Sequence, residues 1–494
     1  MQATVLTATL TGVDALPVEV QADVGRGLPS FGIVGLPDAA VQEARDRVRA
    51  AIRASGFEFP NARVLVNLAP ALLRKHGTGF DLPIALAILT ATRQIGPSVT
   101  DNASVVGELS LDGSVRPVSG LLAYAIAASR AGLALIGPPA AGRAAAAVTN
   151  LPCRVLDHLQ RVRSGLLPPD SPTAPQDVLQ EGAPDLADVV GHAEVRRALE
   201  IAAAGGHNVL LVGPPGAGKT LIARRLPGIL PQLDAAERLE TALVHSVAGL
   251  DERPALAGLR PFRAPHHTCT VAGLVGGGSS AHPGEMSLAH NGVLFLDEFA
   301  EFAPSVLQAL RQPLEDGTVT LVRAEGRIAY PCRFSLVAAM NPCSCGYLGD
   351  PHRSCTCLPS SIDRYRGRIG GPLFDRLDIR VRVNRVDSGC LLDATPGESS
   401  ASVRRRVVAG REFSVQARRA PTRVLSGAAL IAACSLTTDA RSTLDRMAGA
   451  GLLSGRGLTR VLRVARTIAD LETRSRVNRE HLVEAIGYRA WDTT

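Results

Sequence analysis

The chain has 494 residues, of which 46% are hydrophobic and 20% are charged, and its formal net charge is +7. This composition indicates a globular protein of several domains and excludes a largely disordered chain. No apolar run reaches the roughly 18–20 residues of a membrane span, and the N-terminal stretch lacks the basic and apolar regions of a signal peptide. We therefore expect a cytoplasmic protein without membrane contact.

Arginine carries nearly all of the positive charge, because Lys75 and Lys219 are the two lysines of the chain. Genomic GC bias explains such usage without any functional meaning. Arginine forks also suit phosphate groups, so the basic balance is compatible with a nucleic-acid partner but does not establish one. The nine cysteines of a cytosolic chain do not indicate a disulfide framework.

The N-terminal segment, residues 1–163, alternates short apolar strands with alanine-rich helices at 38–55 and 81–93, which predicts an α/β domain. Its predicted strands have the sequences VLTATL, LPVEVQADV, RVLVNLAP and ASVVGELSL. Residues 164–184 are rich in proline and polar residues and are predicted to form an exposed linker.

The remaining chain divides into two predicted domains. Residues 185–395 repeat a strand–loop–helix alternation, which indicates a P-loop parallel-sheet nucleotide-binding domain. Residues 396–494 are predicted to form a helical C-terminal lid. Its predicted helical segments are the arginine-rich stretch 403–419 and the amphipathic runs 426–433, 437–448, 456–473 and 478–489.

A glycine-rich loop, GPPGAGKT, follows the apolar strand 209–212 and precedes a helix. In this context the pattern G-x-x-x-x-G-K-[ST] predicts a phosphate-binding loop whose backbone N–H groups wrap the phosphates of ATP. Lys219 is predicted to reach the β- and γ-phosphates and Thr220 to ligate Mg²⁺. The predicted nucleotide-binding residues are Gly213, Pro214, Pro215, Gly216, Ala217, Gly218, Lys219 and Thr220.

Two further strands are predicted to deliver polar residues to the same site. The strand GVLFLDE ends in Asp297, which is expected to help hold Mg²⁺, and Glu298, which is expected to polarise the attacking water. The strand RFSLVAAMNP ends in Asn341, a candidate for positioning that water or sensing the γ-phosphate. The alternative for Asn341 is a cap of the turn before Pro342.

Two arginines are candidates for completing the site. Arg376 follows a predicted helix, where a neighbouring subunit would use it as an arginine finger. Arg456 lies near the start of a predicted helix and is a candidate for sensing phosphate within its own chain. The alternative is that both belong to solvated helix faces.

Four cysteines lie close together in sequence, at Cys343, Cys345, Cys355 and Cys357. Two C-x-C pairs separated by nine residues resemble a compact four-thiolate zinc site, with His352 as a substitute for one thiolate. The alternative is four reduced structural thiols. The other cysteines are expected to be ordinary buried or half-buried residues.

Several strings resemble the ComM/YifB family of Mg-chelatase-like AAA+ ATPases, and the resemblance extends essentially end to end. They are RPFRAPHHT (260–268), GEMSLAHNGVLFLDE (284–298), MNPCSCGYLGD (340–350), GPLFDRLDI (371–379) and LSGRGLTRVLRVARTIADL (453–471). Magnesium-chelatase ATPase subunits and MCM replicative helicases are more distantly similar. The resemblance implies Arg376 as a finger acting on the neighbouring subunit and Arg456 as a phosphate sensor, with Arg460 and Arg463 as competitors for the second role.

The resemblance also implies two insertions that project into a central pore and contact DNA. The stretch 264–284 is expected to interrupt a helix, and its flanks carry Arg260, Arg263, His266 and His267. The stretch 317–334 is predicted to be a β-hairpin with Glu325 and Gly326 at its turn. It carries Arg323, Arg327 and Arg333, of which Arg323 and Arg327 are the predicted DNA contacts. The alternative is that these arginines pair with local acids.

The N-terminal segment resembles the fold of the Lon protease domain. The stretch 107–128 is similar to the part that carries the catalytic lysine, but Leu122 occupies the matching position. In the nucleophile region the family's Gly-Pro-Ser-Ala pattern is replaced by residues 79–82, which read Gly-Phe-Asp-Leu. Without a Ser–Lys pair there is no activated nucleophile, so we expect a non-proteolytic domain.

These features lead to three hypotheses. The first is an ATP-driven hexameric DNA motor or helicase that promotes branch migration of recombination intermediates, as in natural transformation. The second is a metal-chelatase ATPase subunit that powers magnesium insertion, although the chain lacks an integrin-type metal-binding domain. The third is a non-proteolytic AAA+ remodelling ATPase. A response of ATP turnover to DNA distinguishes the first from the others.

Overall fold

A computed structural model describes residues 1–164, 166, 184–278, 281–323, 326–386, 397–449 and 455–489. It is an α/β structure with two large sheets and a helical C-terminal region, as the sequence predicts. The predicted linker and the predicted boundary at residue 395 lie almost entirely outside the described residues, so the domain limits stay predictions. Across the described ranges, no helix combines the length and apolar character required to cross a bilayer.

The first sheet belongs to the N-terminal domain and has the strand order β3-β4-β2-β1-β5-β8-β9. Its long β1–β2 hairpin is antiparallel, whereas β1, β5, β8 and β9 pair in parallel. The described strands of the domain are β1 (Gln2–Thr11), β2 (Asp14–Gly25), β3 (Ser30–Val34), β4 (Arg63–Ala69), β5 (Ala103–Val105), β6 (Glu108–Leu109), β7 (Val115–Arg116), β8 (Ala134–Gly137) and β9 (Cys153–Val155).

Four helices cover this sheet, namely α1 (Ala39–Ala54), α2 (Asp81–Ala91), α3 (Leu121–Arg130) and α4 (Pro139–Ala146). The helices predicted at 38–55 and 81–93 are α1 and α2, and Asp38 caps α1 by accepting the Val41 N–H. The sequence ASVVGELSL is predicted to form one strand, and this prediction is wrong, because the segment forms two short strands, β5 and β6. Gly107 lies at the break, where a methyl group would be 2.8 Å from Val115 Cγ1.

The residues that correspond to the protease nucleophile and lysine have structural roles here. Asp81 is buried, accepts a hydrogen bond from Arg47 Nε at 2.7 Å and another from the Leu109 N–H at 3.2 Å. Leu122 is fully buried in an apolar cluster with Leu233 and Ala242 of the next domain. Asp81 is held by Arg47, and Leu122 has no titratable group, so these two positions do not form the Ser–Lys pair that a Lon-type peptidase requires.

The second sheet is parallel and has the order β11-β14-β17-β10-β18. Two β-hairpins, β12–β13 and β15–β16, lie outside this sheet. The strands of this part are β10 (Val209–Val212), β11 (Phe262–Arg263), β12 (Gly276–Gly277), β13 (His282–Pro283), β14 (Val293–Leu296), β15 (Thr318–Arg323), β16 (Gly326–Pro331), β17 (Ser335–Met340) and β18 (Ile379–Arg382).

Helices pack on both faces of this sheet, as the continuous apolar runs of its strands require. Its central strands contribute alternate side chains to two separate cores. The described helices of the domain are α5 (Ala193–Gly205), α6 (Lys219–Ala223), α7 (Leu226–Ile229), α8 (Ala235–Val247), α9 (Arg253–Leu256), α10 (Val271–Val275), α11 (Glu285–Leu288), α12 (Pro304–Ala309), α13 (Pro313–Asp316), α14 (Pro359–Gly367) and α15 (Gly371–Phe374).

The C-terminal region is helical, as predicted. Its described helices are α16 (Ser400–Arg418), α17 (Gly427–Cys434), α18 (Thr438–Gly449), α19 (Gly455–Leu471) and α20 (Arg479–Gly487). The buried face of α19, which includes Val461, Leu462 and Ile468, shares one core with α5 and α16. The lid therefore packs directly on the nucleotide-binding domain.

Candidate nucleotide-binding site

Three neighbouring strands end at the same edge of the second sheet. Val212 of β10 pairs with Met340 of β17, and Leu296 of β14 pairs with Ala338. The residues that follow these strands, Gly213, Asn341 and Asp297, therefore meet at the carboxyl edge. A cleft of about 750 Å³ opens there, a size typical of small-molecule sites. It is lined by the glycine loop, the two acids after β14, Asn341 and the segment around His267.

The glycine loop has the backbone that its sequence predicts. Gly213 passes so close to the neighbouring chain that a methyl group there would be 2.0 Å from the Val383 carbonyl oxygen. Gly216 and Gly218 have positive φ angles of 78° and 86°, and a methyl group at either would have no neighbour within 4 Å. These glycines permit the left-handed turns and leave the loop open towards the cleft.

Lys219 reaches back into the loop. Its Nζ donates to the Gly213 carbonyl oxygen at 2.7 Å, the Pro214 carbonyl oxygen at 3.0 Å and Asn341 Oδ1 at 3.1 Å. Burial lowers the pKa of this ammonium group, and the nearby Asp297 carboxylate opposes that shift. The lysine and the predicted sensor asparagine are therefore in direct contact inside the cleft.

The two predicted magnesium ligands are also in contact. Thr220 Oγ1 donates to Asp297 Oδ2 at 2.6 Å, and Asp297 Oδ1 accepts the backbone N–H of Glu298 at 2.9 Å. A hydroxyl and a carboxylate beside a phosphate-binding loop fit Mg²⁺, which takes one or two protein oxygens together with substrate phosphates.

Glu298 has a contact that the sequence does not predict. Its carboxylate lies 2.7 Å from His267 Nδ1, and its backbone has a φ of 50°. The His267 ring packs on the ring of His266 with centroids 4.1 Å apart. The sequence places these histidines beside a DNA-contacting insertion, but in the structure both line the nucleotide cleft.

The candidate arginines lie elsewhere. Arg376 donates to Glu315 and to the Pro372 carbonyl oxygen, both at 2.6 Å. Arg460 donates to Asp378 Oδ1 at 2.8 Å, and Arg463 donates to the Leu425 carbonyl oxygen. Arg456 is exposed in the first turn of α19. Within the described ranges, none of these four residues lines the cleft.

Asp378 shows where Arg460 lies relative to that cleft. It immediately precedes β18, which runs parallel to β10, so it lies at the amino edge of the sheet, opposite the glycine loop. Burial alone would raise the pKa of Asp378, but contacts with His207, Arg460 and the Asn208 N–H lower it to about 2. Arg460 is therefore fixed away from the phosphate site of its own chain, and a contact of Arg456 with nucleotide in cis stays a prediction.

Comparisons with known proteins agree with this arrangement. Family models described as magnesium chelatase subunit ChlI match residues 185–391 and, for its C-terminal part, residues 397–489, and a third ChlI model matches residues 20–140. Protein YifB of Salmonella typhimurium is 43% identical over 99% of this chain and 97% of its own length. YifB of Escherichia coli is 42% identical (98% and 96%), and competence protein ComM of Haemophilus influenzae is 40% identical (97% and 96%).

The chain belongs to the ComM/YifB family of Mg-chelatase-like AAA+ proteins. It is thus an AAA+ ATPase of this family, and the family implies ATP and Mg²⁺ as its ligands. The cleft fits both, because the open glycine loop, Lys219 and the Thr220–Asp297 pair converge there.

The two insertions of this ComM/YifB chain are joined to each other. Arg323 donates to the Gly278 carbonyl oxygen, and the Tyr330 hydroxyl donates to the Ala281 carbonyl oxygen at 2.7 Å. The predicted hairpin at 317–334 is β15–β16. Its predicted turn is wrong by one residue, because Gly326 of β16 already pairs with Arg323; the connecting residues are 324 and 325, which lie outside the described residues. The whole stretch 264–284 is expected to interrupt a helix, and this expectation is only partly correct. The β12–β13 hairpin does separate α10 from α11, but residues 264–270 precede α10.

Most arginines around these insertions pair with local acids. Arg260 contacts Glu237 at 2.8 Å, Arg263 contacts Glu285 at 2.7 Å, and Arg333 contacts Glu240. These three contacts agree with the alternative that the arginines pair with local acids. Arg327, by contrast, is exposed on β16.

The four clustered cysteines meet as the sequence predicts, with all four Sγ atoms within 4.8 Å of one another. Cys343 Sγ lies 3.3 Å from Cys345 Sγ and 3.7 Å from Cys355 Sγ, and the last two are 3.5 Å apart. These separations exceed a disulfide bond of about 2.05 Å. They resemble the edges, about 3.8 Å, of a tetrahedron with metal–sulfur bonds of about 2.3 Å. His352 is not a member of this group.

Proposed function

We propose that this protein is an ATP-driven ring motor that acts on DNA and promotes branch migration of recombination intermediates, as in natural transformation. The observation that carries the proposal is the separation of the catalytic groups. The cleft at the carboxyl edge holds the loop, the acids and Asn341, whereas Arg376, Arg460 and Arg463 surround the opposite edge.

A ring resolves this separation. In a head-to-tail assembly, the amino edge of one protomer faces the cleft of the next, and closure of the ring completes every site. Arg376 then acts as the finger for the neighbouring ATP, and Arg460 or Arg463 supplies further positive charge. We propose that this ring is a hexamer. The number of subunits is inferred from the resemblance of the chain to AAA+ motors that form hexamers.

The chemistry follows from the residues in the cleft. With ATP bound, Lys219 would exchange its carbonyl contacts for the phosphates, and Thr220 and Asp297 would hold Mg²⁺, which would neutralise phosphate charge. Glu298 accepts the proton of the attacking water, and Asn341 orients that water or the γ-phosphate. Lys219 and Thr220 begin α6 directly after the glycine loop, and the other three residues follow strand ends, so we expect nucleotide turnover to be coupled to the sheet edge.

Two observations support DNA as the partner. One relative that matches over nearly its full length carries the name competence protein ComM, and competence is the capacity for natural transformation by DNA. In this chain, the two insertions are joined by the hydrogen bond from Tyr330 to Ala281, and Arg327 is exposed on β16. Phosphate contacts by arginines in a pore do not depend on sequence, as a motor requires.

A metal-chelatase subunit is the second candidate, because the matching family models carry the name of magnesium chelatase. The two functions differ in what controls ATP turnover. A chelatase subunit responds to its porphyrin-binding partners, whereas a DNA motor responds to DNA.

The deciding experiment measures ATP turnover with and without branched, duplex and single-stranded DNA. A second assay measures branch migration of a synthetic DNA junction. We expect stimulation by DNA in the wild type. Lys219→Ala is expected to lose nucleotide binding, whereas Glu298→Gln is expected to bind ATP and assemble but to lose at least about 100-fold in turnover. If none of the three DNA forms changes the turnover of the wild type, the motor proposal is wrong.

The cysteine cluster is proposed to hold Zn²⁺. Four thiolates are the donor set of structural zinc sites, and four sulfur atoms at tetrahedral spacing fit that ion better than a disulfide pair. Elemental analysis of protein purified without added metal is expected to give one zinc per chain.

A further inference from the structure

The cysteine cluster begins two residues after the γ-phosphate sensor. Met340 ends β17, Asn341 contacts Lys219, and Cys343 is already a buried member of the thiolate group. Whatever fixes Cys343 therefore also restricts the backbone of Asn341. This connection runs along the chain and needs no side-chain contact.

A second connection crosses from the cysteine loop to the phosphate-binding loop. Gly346, between the two C-x-C pairs, lies against Pro215 of the glycine loop, and a methyl group on Gly346 would be 2.8 Å from Pro215 Cδ. Gly346 also has a positive φ of 86°. The two loops are therefore in van der Waals contact, and there is no room for a methyl group between Gly346 and Pro215.

Arg385 joins the same two loops from the other side. Its Nη2 donates to the Pro215 carbonyl oxygen at 3.1 Å, while its Nε lies 3.6 Å from the buried Asp350 carboxylate of the cysteine loop. Its guanidinium group also lies 5.8 Å from the ring of Tyr347. The tip of the phosphate-binding loop is thus held between Gly346 and Arg385.

We propose that the four-thiolate metal site supports the phosphate-binding loop, so that zinc occupancy sets the affinity of the chain for ATP. The proposal rests on the ATP and zinc sites proposed above and adds the coupling between them. With zinc bound, the short loop from Cys343 to Cys357 is cross-linked and keeps Gly346 against Pro215. Without zinc, a loop that contributes few apolar side chains to the core loses its main restraint.

The test measures zinc content and the Kd of a fluorescent ATP analogue with Mg²⁺ for four variants. The double variant Cys355→Ser/Cys357→Ser removes two ligands, and Cys153→Ser in the N-terminal domain is its control. Gly346→Ala keeps the four thiolates but forces Pro215 away. Gly349→Ala is its matched control, because Gly349 also has a positive φ, 76°, but a methyl group there meets nothing within 4 Å.

We expect the double cysteine variant to lose zinc and Gly346→Ala to retain it, with the Kd for ATP raised about tenfold in both, a size typical of coupling between two sites. Both controls are expected to match the wild type. If the double variant does not fold, as judged by thermal unfolding, the comparison of Gly346→Ala with Gly349→Ala still decides. An unchanged Kd in Gly346→Ala overturns the coupling.

Absence of zinc from the wild type, even after zinc is added, overturns the site itself. Failure of the DNA motor proposal is seen separately, as turnover of the zinc-loaded wild type that does not respond to DNA.

Discussion

The carboxylate of Glu298, the residue proposed to activate water, is held by His267 Nδ1 at 2.7 Å. His267 lies in the segment that precedes α10 and the insertion hairpins proposed to contact DNA, so this contact would link the proposed DNA-binding unit to catalysis. We predict that His267→Ala releases Glu298, raises DNA-free ATP turnover about two- to fivefold and reduces the stimulation by DNA, because a carboxylate held by His267 is not free to contact the attacking water. Turnover with and without DNA is the measurement.

His266→Ala is the matched control for this prediction. Its ring contacts Thr268 and the His267 ring rather than the Glu298 carboxylate, so its loss should leave the ratio of the two rates near that of the wild type. A His267→Ala variant that is slower with DNA and without it, in the same proportion, would show that the histidine holds Glu298 in its working orientation instead.

The residues of the ATP site could be predicted because each of them follows the carboxyl end of a strand, either directly or after the glycine loop. Lys219, Thr220, Asp297 and Asn341 each follow an apolar strand, and parallel strands bring their carboxyl ends together. The contact of His267 with Glu298 was not predictable, because it joins two loops whose spacing follows no periodicity. The same holds for Arg385, whose bond to Pro215 depends on the path of a loop.

Among the secondary-structure elements, the two joined insertion hairpins make the sharpest functional prediction. We predict that Arg327→Ala reduces DNA-stimulated turnover about tenfold, leaves DNA-free turnover unchanged and makes DNA affinity less dependent on salt concentration, because one phosphate contact per protomer is lost. Turnover and DNA affinity over a range of salt concentrations measure this effect.

The control is Arg405→Ala, which removes an exposed arginine from α16 of the lid. If both variants lose DNA response equally, the effect of Arg327 reflects net charge rather than a contact. An unchanged salt dependence in Arg327→Ala would remove β16 from the DNA-binding surface.

Helices and hairpins were predicted more accurately than the irregular stretches between them. The four amphipathic C-terminal runs and the hairpin at 317–334 correspond to observed elements because their periodicity is strong. The break between β5 and β6 escaped prediction because an apolar run gives no sign that Gly107 must leave room for Val115. The β12–β13 hairpin is formed mainly by glycine and proline, which carry no strand signal.

For the whole chain, the most consequential contact is the one between the N-terminal and nucleotide-binding domains. Leu122 packs with Leu233 and Ala242, and the Ser246 carbonyl oxygen accepts the Gly120 N–H at 2.7 Å. Apolar side chains do not specify their partner in sequence, so this docking was not predictable. It attaches the N-terminal domain to α8, and the turn at Gly12 also lies against Ile328 of the β15–β16 hairpin.

We predict that Leu122→Asp separates the two domains, because an unpaired carboxylate in this cluster costs more than about 3 kcal/mol. Calorimetry is expected to show two unfolding transitions where the wild type shows one coupled transition. Leu111→Asp, at an exposed position of the same domain, is the control. A single transition at the wild-type temperature in Leu122→Asp would show that the domains are held together by other contacts.

Sharing of catalytic groups between protomers is testable with two inactive variants. Lys219→Ala has a defective cleft but an intact Arg376, whereas Arg376→Ala has the reverse, and each is expected to be inactive by itself. When the two are mixed in equal amounts and allowed to exchange subunits, an intact cleft meets an intact arginine at about a quarter of the interfaces, since each condition is met half the time. ATP turnover should therefore recover to about a quarter of the wild-type rate.

Mass measurement of the mixed rings verifies the exchange. Mixed rings without recovered turnover would show that Arg376 does not act across the interface, and the separation of the two sheet edges would then require another explanation.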